Sequence, residues 1–265
     1  MSSVTIIDIP LFTPQYESDK SYGYKGTNGE RLLELLYKTT KGYCMYCYCK
    51  INIDNKKFGH LEHAIEKDFC EKKLSECVPN IGLACPKCNQ SFKNSGLAKK
   101  DKNNKIKGIF NHKQIENFEK TVCSNSVKCT KECKAYKIIK RVYLQKRNII
   151  LQPMGVTVKG HSYKIQYNLL TLTFEPSHTV AYTDAEKEFI KEHISKFNLN
   201  DSIYRTREIL KFCKDIINGD RYLRKGKYNN YIVDLFVDKL ENLDEEARIK
   251  LCSTIYMIGK IKRII

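Results

Sequence analysis

The chain has 265 residues, 42% of them hydrophobic, with 47 Lys and Arg against 30 Asp and Glu, a net charge of +17 and a pI near 9.3. That is enough apolar residue for the core of one large domain or two small ones, and the positive surplus points to a polyanionic partner, most simply nucleic acid. No apolar run is long enough to span a bilayer, and Met1–Asp19 lacks the basic, apolar, small-residue order of a secretory signal, so a cytoplasmic chain with no membrane partner is expected.

Residues 1–28 carry Pro, Gly, Ser and Tyr with little periodicity and read as an irregular arm. Leu32, Leu33, Leu35 and Leu36 then give one apolar face to a helix over Glu30–Thr39, which Gly42 stops. Lys50–Ile53 and Phe58–Ile65 read as a hairpin turning at Asp54–Asn55. Asp68–Pro79 reads as a loop, and a helix is expected to begin at Asn89. Lys99–Lys107 is a polar, basic linker or a nucleic-acid-facing loop, with the solvated loop as the default. Lys134–Asn148 is a basic segment with Ile, Val and Leu at helical spacing, and Gln152–Phe174 alternates as two strands would. Helices follow at Asp184–Phe197, Ser202–Ile217, Tyr228–Leu240 and Glu245–Gly259, with Asp184 and Asp201 as N-caps and Gly219 and Gly259 as stops. The expected fold is α+β. A metal-bearing part spans residues 1–110, a basic connecting region with strands spans 111–182, and a helical region spans 183–265.

Twelve cysteines in a reducing compartment argue for metal rather than disulfides. Cys44–Cys47 and Cys85–Cys88 are two CxxC pairs, each able to present two sulfurs on one side of a tight bend. Together they can hold one Zn²⁺ tetrahedrally, and a site closed by four thiolates is structural. Between the pairs lie His60, Glu62 and His63. Strand alternation sets His63 with Leu61 on one face and Glu62 with His60 on the other, so Glu62 and His63 share one site only if a bulge or strand end intervenes. Asn89 follows the second pair directly, and Lys93 lies one helical turn beyond it. Taken singly, each has an ordinary structural role: a core histidine, an N-cap, a solvated lysine.

The runs G-Y-C-M-Y-C from Gly42, H-L-E-H-A-I-E-K from His60 and P-N-I-G-L-A-C-P-K-C-N-Q-S-F-K from Pro79 resemble the HNH endonucleases, also called ββα-metal or His-Me finger nucleases, over residues 42–97. That resemblance implies a zinc-stabilised ββα-metal core. It implies that His63 is the general base that activates water, that Asn80 orders the loop behind it, and that Glu62 and Asn89 hold a catalytic Mg²⁺ or Mn²⁺. Lys93 stands where some members carry another ligand, which suggests a phosphate contact, and His60 joins it as a nucleic-acid contact without a secure family role. The implied reaction is hydrolysis of a phosphodiester bond, in DNA rather than RNA. The rival is a zinc-finger DNA-binding protein in which His63 and Asn89 are structural. A third reading has the basic charge serve an acidic protein partner.

Weaker signals remain. Cys123, Cys129 and Cys133 could hold a second zinc with His112, Cys70 or Cys77, or be buried thiols, while Cys213 and Cys252 read as core. Lys134, Lys137, Lys140, Arg141, Lys146 and Arg147 could track a DNA backbone or form a solvated face. Tyr43, Tyr46 and Tyr48 read as packing before base stacking. Residues 182–212 loosely resemble HNH proteins of Septu-type anti-phage systems, which implies an ATPase partner.

Overall fold

Residues around the first cysteine pair contact segments from the middle and the end of the chain. The computed structural model describes residues 4–67, 73–93, 109–120, 129–146, 148–158, 160–220 and 222–265. The order is β1 (Ile6–Asp8), α1 (Gly26–Thr40), β2 (Asn52–Ile53), β3 (Lys56–Lys57), β4 (His60–His63), β5 (Ile81–Ala84), α2 (His112–Lys120), α3 (Lys134–Gln145), β6 (Thr157–Val158), β7 (His161–Ser162), β8 (Ile165–Asn168), β9 (Thr173–Pro176), α4 (Asp184–Lys196), α5 (Ser202–Ile217), α6 (Tyr231–Leu240) and α7 (Glu245–Ile261). Mixed helix and sheet is as expected.

Helix α1 starts earlier than its leucine pattern suggests and buries Leu32 and Leu36 completely. It ends as expected: Lys41 and Gly42 take left-handed backbone at φ 54° and 78°, and the Gly42 amide returns to the Tyr37 carbonyl at 3.0 Å. The turn at Asp54–Asn55 is also as expected, both residues having positive φ, but the hairpin it closes is only β2–β3. The longer strand expected over Phe58–Ile65 is shorter and pairs elsewhere. Strand β4 runs antiparallel to β5, with His63 opposite Ile81 and Glu62 opposite Gly82, so a wide loop rather than a tight turn joins the two strands. That loop closes on a 3₁₀ turn at Val78–Asn80.

The region from Gln152 to Phe174 holds two short hairpins rather than two strands. The second, β8–β9, accepts β1 from the N-terminal arm along its open edge. The arm is therefore part of the middle sheet. The C-terminal helices are close to their expected bounds. Thr183, not Asp184, caps α4 in a reciprocal box with Glu186, because its hydroxyl accepts from the Glu186 amide while that carboxylate accepts from the Thr183 amide. Asn230 caps α6 and Asp244 caps α7. Gly259 is not a stop: it lies inside α7, where an added Cβ would come 2.5 Å from Leu210 Cδ1 of α5. It lets the two helices approach closely.

One hydrophobic core runs through all three expected regions. Tyr43 donates to Asp234 of α6 at 2.8 Å, and the Tyr231 amide donates to the Tyr48 carbonyl at 2.9 Å. Tyr46 stacks on Phe197 just beyond α4, ring centres 4.7 Å apart and planes within 4°. The helical region thus clasps the first cysteine turn. Among the described residues no helix is long and apolar enough to cross a membrane.

Candidate functional site

Two elements bring the four cysteines together. The first turn closes when the Tyr48 amide reaches the Cys44 carbonyl at 3.0 Å and the Cys44 amide reaches the Cys49 carbonyl at 2.8 Å. Tyr48 takes φ 64°, the left-handed backbone such a knuckle needs. The second pair sits after β5, which hydrogen bonds to the first turn through the Met45 amide and the Leu83 carbonyl at 2.9 Å. All four sulfurs lie within 4.8 Å of one another, and Cys47 and Cys85 are 3.7 Å apart. A tetrahedron with Zn–S bonds of about 2.3 Å has edges of about 3.8 Å, so the spacing suits a metal ion such as zinc. The Cys85 amide points at the Cys44 sulfur at 3.3 Å, and the Cys88 amide at the Cys85 sulfur at 3.4 Å, the contacts that thiolates accept. Contact with Cys44 pushes the Cys47 and Cys88 thiols up, so the cluster reaches its full negative charge only around a cation.

His63 closes β4 and is nearly buried, at 6% exposure. Its Nε2 lies 2.9 Å from the Ser75 carbonyl, and the Tyr24 ring covers it at 4.3 Å between centres. A carbonyl only accepts, so Nε2 carries the proton and Nδ1 keeps its lone pair. Burial lowers the imidazole's pKa below its ordinary value, against a smaller upward pull from the Ser75 carbonyl. The ring is therefore a neutral acceptor near pH 7.

Asn80 is wholly buried and binds the backbone that follows His63 on both sides: its Oδ1 accepts from the Ile65 amide and its Nδ2 donates to the Ile65 carbonyl, each at 2.8 Å. Tyr136 of α3 adds a third bond to Oδ1 at 3.2 Å. These bonds tie the chain just after His63 to the residue before β5 and to α3.

Glu62 departs from its expected role. It is buried at 2%, its Oε2 accepts from the Tyr46 hydroxyl, and its Oε1 accepts from the Lys93 ammonium. Lys93 is equally deep at 3% and also donates to the His63 carbonyl. The resemblance suggested it as a phosphate contact. The reason it turns inward is local: Cys88–Phe92 forms a widened, π-type turn in which the Lys93 amide reaches back five residues to the Cys88 carbonyl at 3.1 Å. Position 93 then does not stack over Asn89 as an α-helix would have it. Asn89 is half-buried, its amide bonded to the Cys85 carbonyl at 3.0 Å, and among the described residues no hydrogen bond joins it to Glu62 or His63. Glu62 and Asn89 do not fit a shared divalent ion in this arrangement. His60 is exposed at the far end of β4, opposite Ala84.

The site also recruits residues that sequence spacing did not single out. Glu66 follows His63 by three positions, accepts from the Tyr143 hydroxyl at 3.3 Å and comes 3.8 Å from the Lys93 ammonium. Its Oε2 is buried without a hydrogen-bond partner. Burial raises the Glu66 carboxyl, against Lys93, which lowers it. Tyr136 and Tyr143 stand seven apart on the inner face of α3, and Lys134, Lys137 and Arg141 stand on its exposed face. That periodicity was visible in the sequence; the partners of the tyrosines were not. Lys140 is turned aside to Glu132 and the Met154 and Gly155 carbonyls, and Arg147 lies outside the described residues.

Cys70 and Cys123, expected members of a second zinc cluster, lie outside the described residues. Of the others, Cys133 caps α3, accepting from the Tyr136 amide at 3.4 Å, and His112 is exposed. Among the described residues only Cys44, Cys47, Cys85 and Cys88 group as metal ligands. Beside them a cleft of about 390 Å³ is lined by Cys49, Lys50, Lys87 and Arg205. A groove of about 1070 Å³ lies between the arm and α1 and does not include His63.

No family model, no curated protein and no solved structure matches the chain.

Proposed function

We propose that the protein is an HNH-type endonuclease that hydrolyses phosphodiester bonds in DNA, with His63 as general base on a hairpin held by a zinc at Cys44, Cys47, Cys85 and Cys88. The observation that carries this reading is the 2.9 Å contact between His63 Nε2 and the Ser75 carbonyl, which leaves Nδ1 as a neutral acceptor. In the reaction a water attacks phosphorus while Nδ1 takes its proton, the P–O bond to the leaving sugar oxygen breaks, and that oxygen takes a proton from solvent. Asn80 holds the backbone beyond His63, so the ring keeps its bearing. The net charge of +17 and the exposed Lys134, Lys137 and Arg141 favour a polyanionic substrate, and RNA is the less favoured one. The zinc would brace β4 and β5 and supply no chemistry of its own. Both oxygens of Glu62 are engaged by Tyr46 and Lys93, which leaves it no free oxygen for the Mg²⁺ or Mn²⁺ that the resemblance implies. A role in anti-phage defence beside an ATPase partner rests on the resemblance of residues 182–212 alone.

The second reading, a zinc-stabilised DNA-binding module, is favoured by the depth of His63 and by the ion pair that occupies Glu62. Plasmid cleavage by the wild type and by His63→Ala, at equal zinc content, separates the two. Cleavage lost in the variant upholds the nuclease. Salt-sensitive DNA binding with no cleavage by either supports the module.

A further inference from the structure

We infer that the Lys93 ammonium is the resident cation of this site, held by Glu62, Glu66 and the His63 carbonyl where the resemblance would put a divalent ion. The catalytic side of this inference rests on the nuclease reading, but its cation-binding side does not.

Both charges of the pair are out of water, the Lys93 and Glu62 side chains being 4% and 2% exposed. A buried ammonium persists only if carboxylates and acceptors surround it. Lys93 has them: Glu62 Oε1, the His63 carbonyl, and Glu66 Oε1 at 3.8 Å. The remaining Glu62 oxygen is engaged by the Tyr46 hydroxyl, which in turn is fixed by the stack on Phe197. A second cation entering here would meet the ammonium at close range with little solvent to screen it. The arrangement is also tied to the cysteine cluster, because the Lys93 amide is bonded to the carbonyl of Cys88. The turn that carries Cys88 thus sets the bearing of the ammonium.

The same geometry says what removal of the ammonium would leave. Glu62 and Glu66 would face a common space, and Glu66 already has a buried oxygen with no partner. Two carboxylates and a backbone carbonyl are the hard oxygen donors that Mn²⁺ and Mg²⁺ accept. A divalent ion is therefore excluded from the wild type and admitted by loss of Lys93.

The test is a Mn²⁺ titration of the zinc-loaded full chain, followed by loss of the electron paramagnetic resonance signal of free Mn²⁺. Wild type should show no saturable site that depends on Glu62. Lys93→Ala should gain one Mn²⁺ per chain, lost again in Lys93→Ala/Glu62→Gln and in Lys93→Ala/Glu66→Gln. A folded Lys93→Ala that gains nothing overturns the inference, as does a wild-type site abolished by Glu62→Gln. Should Lys93→Ala fail to fold, the wild-type and Glu62→Gln titrations still decide. In an activity arm, His63-dependent cleavage in divalent-free buffer at full zinc content upholds the inference, and cleavage that requires added Mg²⁺ overturns it. Absence of all cleavage defeats the nuclease reading, and the Mn²⁺ titrations then decide alone.

Discussion

The Ser75 carbonyl, 2.9 Å from His63 Nε2, decides which ring nitrogen can accept a proton. It comes from the far side of the β4–β5 loop, twelve residues along the chain, so the base is oriented by the loop and not by its own strand. Burial pulls the imidazole's pKa below 6.5. A base lowered in this way is unprotonated above its pKa and loses its acceptor lone pair below it. The cleavage rate should therefore rise with pH through a midpoint below 6.5 and stay flat above neutrality. His63→Ala should lower it by about 10²- to 10⁴-fold while DNA affinity is retained. A pH–rate profile of the wild type and a filter-binding assay of the variant check the two statements. A rate still climbing steeply above pH 7.5 would mean that another group is the base.

At zero exposure, Asn80 makes two hydrogen bonds to the Ile65 backbone and one to Tyr136 of α3. Asn80→Leu keeps the volume roughly but strands the Ile65 amide and carbonyl, each at a cost of about 1–3 kcal/mol. The expected loss of stability is roughly 2–5 kcal/mol, with cleavage falling as the loop behind His63 loosens. Asn80→Asp should lie between, since it keeps the acceptor for Ile65 and loses the donor. Chemical denaturation of the three proteins gives the order; an Asn80→Leu variant as stable as the wild type would mean that the loop is held by other contacts.

What the sequence made legible follows its short-range regularities. The two CxxC pairs, the stop at Gly42, the turn at Asp54–Asn55 and the C-terminal helices rest on spacing or on local backbone demand, and all were readable. Asn80 was singled out by resemblance alone; its partners Ile65 and Tyr136 were not legible. Lys93 was not legible, because an α-helical register sets it one turn beyond Asn89 and gives no sign of the widened turn at Cys88–Phe92 or of the pairing with Glu62. Tyr24, Ser75, Tyr143 and Glu66 were missed for a different reason. Their roles come from contacts between segments far apart in the chain or from a loop path, and neither leaves a period. The contacts that join the three regions were not legible either, since β1 pairing with β8 and Tyr43 bonding to Asp234 are long-range facts.

The cysteine cluster joins the first turn, β5, the start of the Lys93 turn and, through Tyr43 and Tyr48, helix α6. Structural zinc sites contribute on the order of 10 kcal/mol to folding, comparable with the whole stability of a domain of this kind. Cys85→Ser should abolish cooperative unfolding, and a strong chelator should do the same to the wild type. The zinc-loaded chain should hold one metal ion per chain by elemental analysis. A chelated protein that melts as the metal-loaded one does would show that the four thiols are not a folding site.

His193 gives a pH dependence that does not involve the hairpin. It lies wholly inside α4, its Nδ1 accepts from the Leu151 amide at 3.1 Å, and burial pushes its pKa down to about 3. In the unfolded chain the same ring titrates near 6.5. The unfolded state therefore binds the proton first, and the contribution of His193 is fully present above pH 6.5 and is lost as pH falls toward 3. Between pH 6.5 and 5 the loss is on the order of 2 kcal/mol, at about 1.4 kcal/mol per unit. His193→Gln keeps a side-chain acceptor for the Leu151 amide and removes the titration. Denaturation midpoints at pH 5, 6 and 7, taken at matched zinc content, should fall with acid more steeply in the wild type than in His193→Gln. Parallel slopes would show that His193 is solvated or paired in a way that leaves its pKa near 6.5.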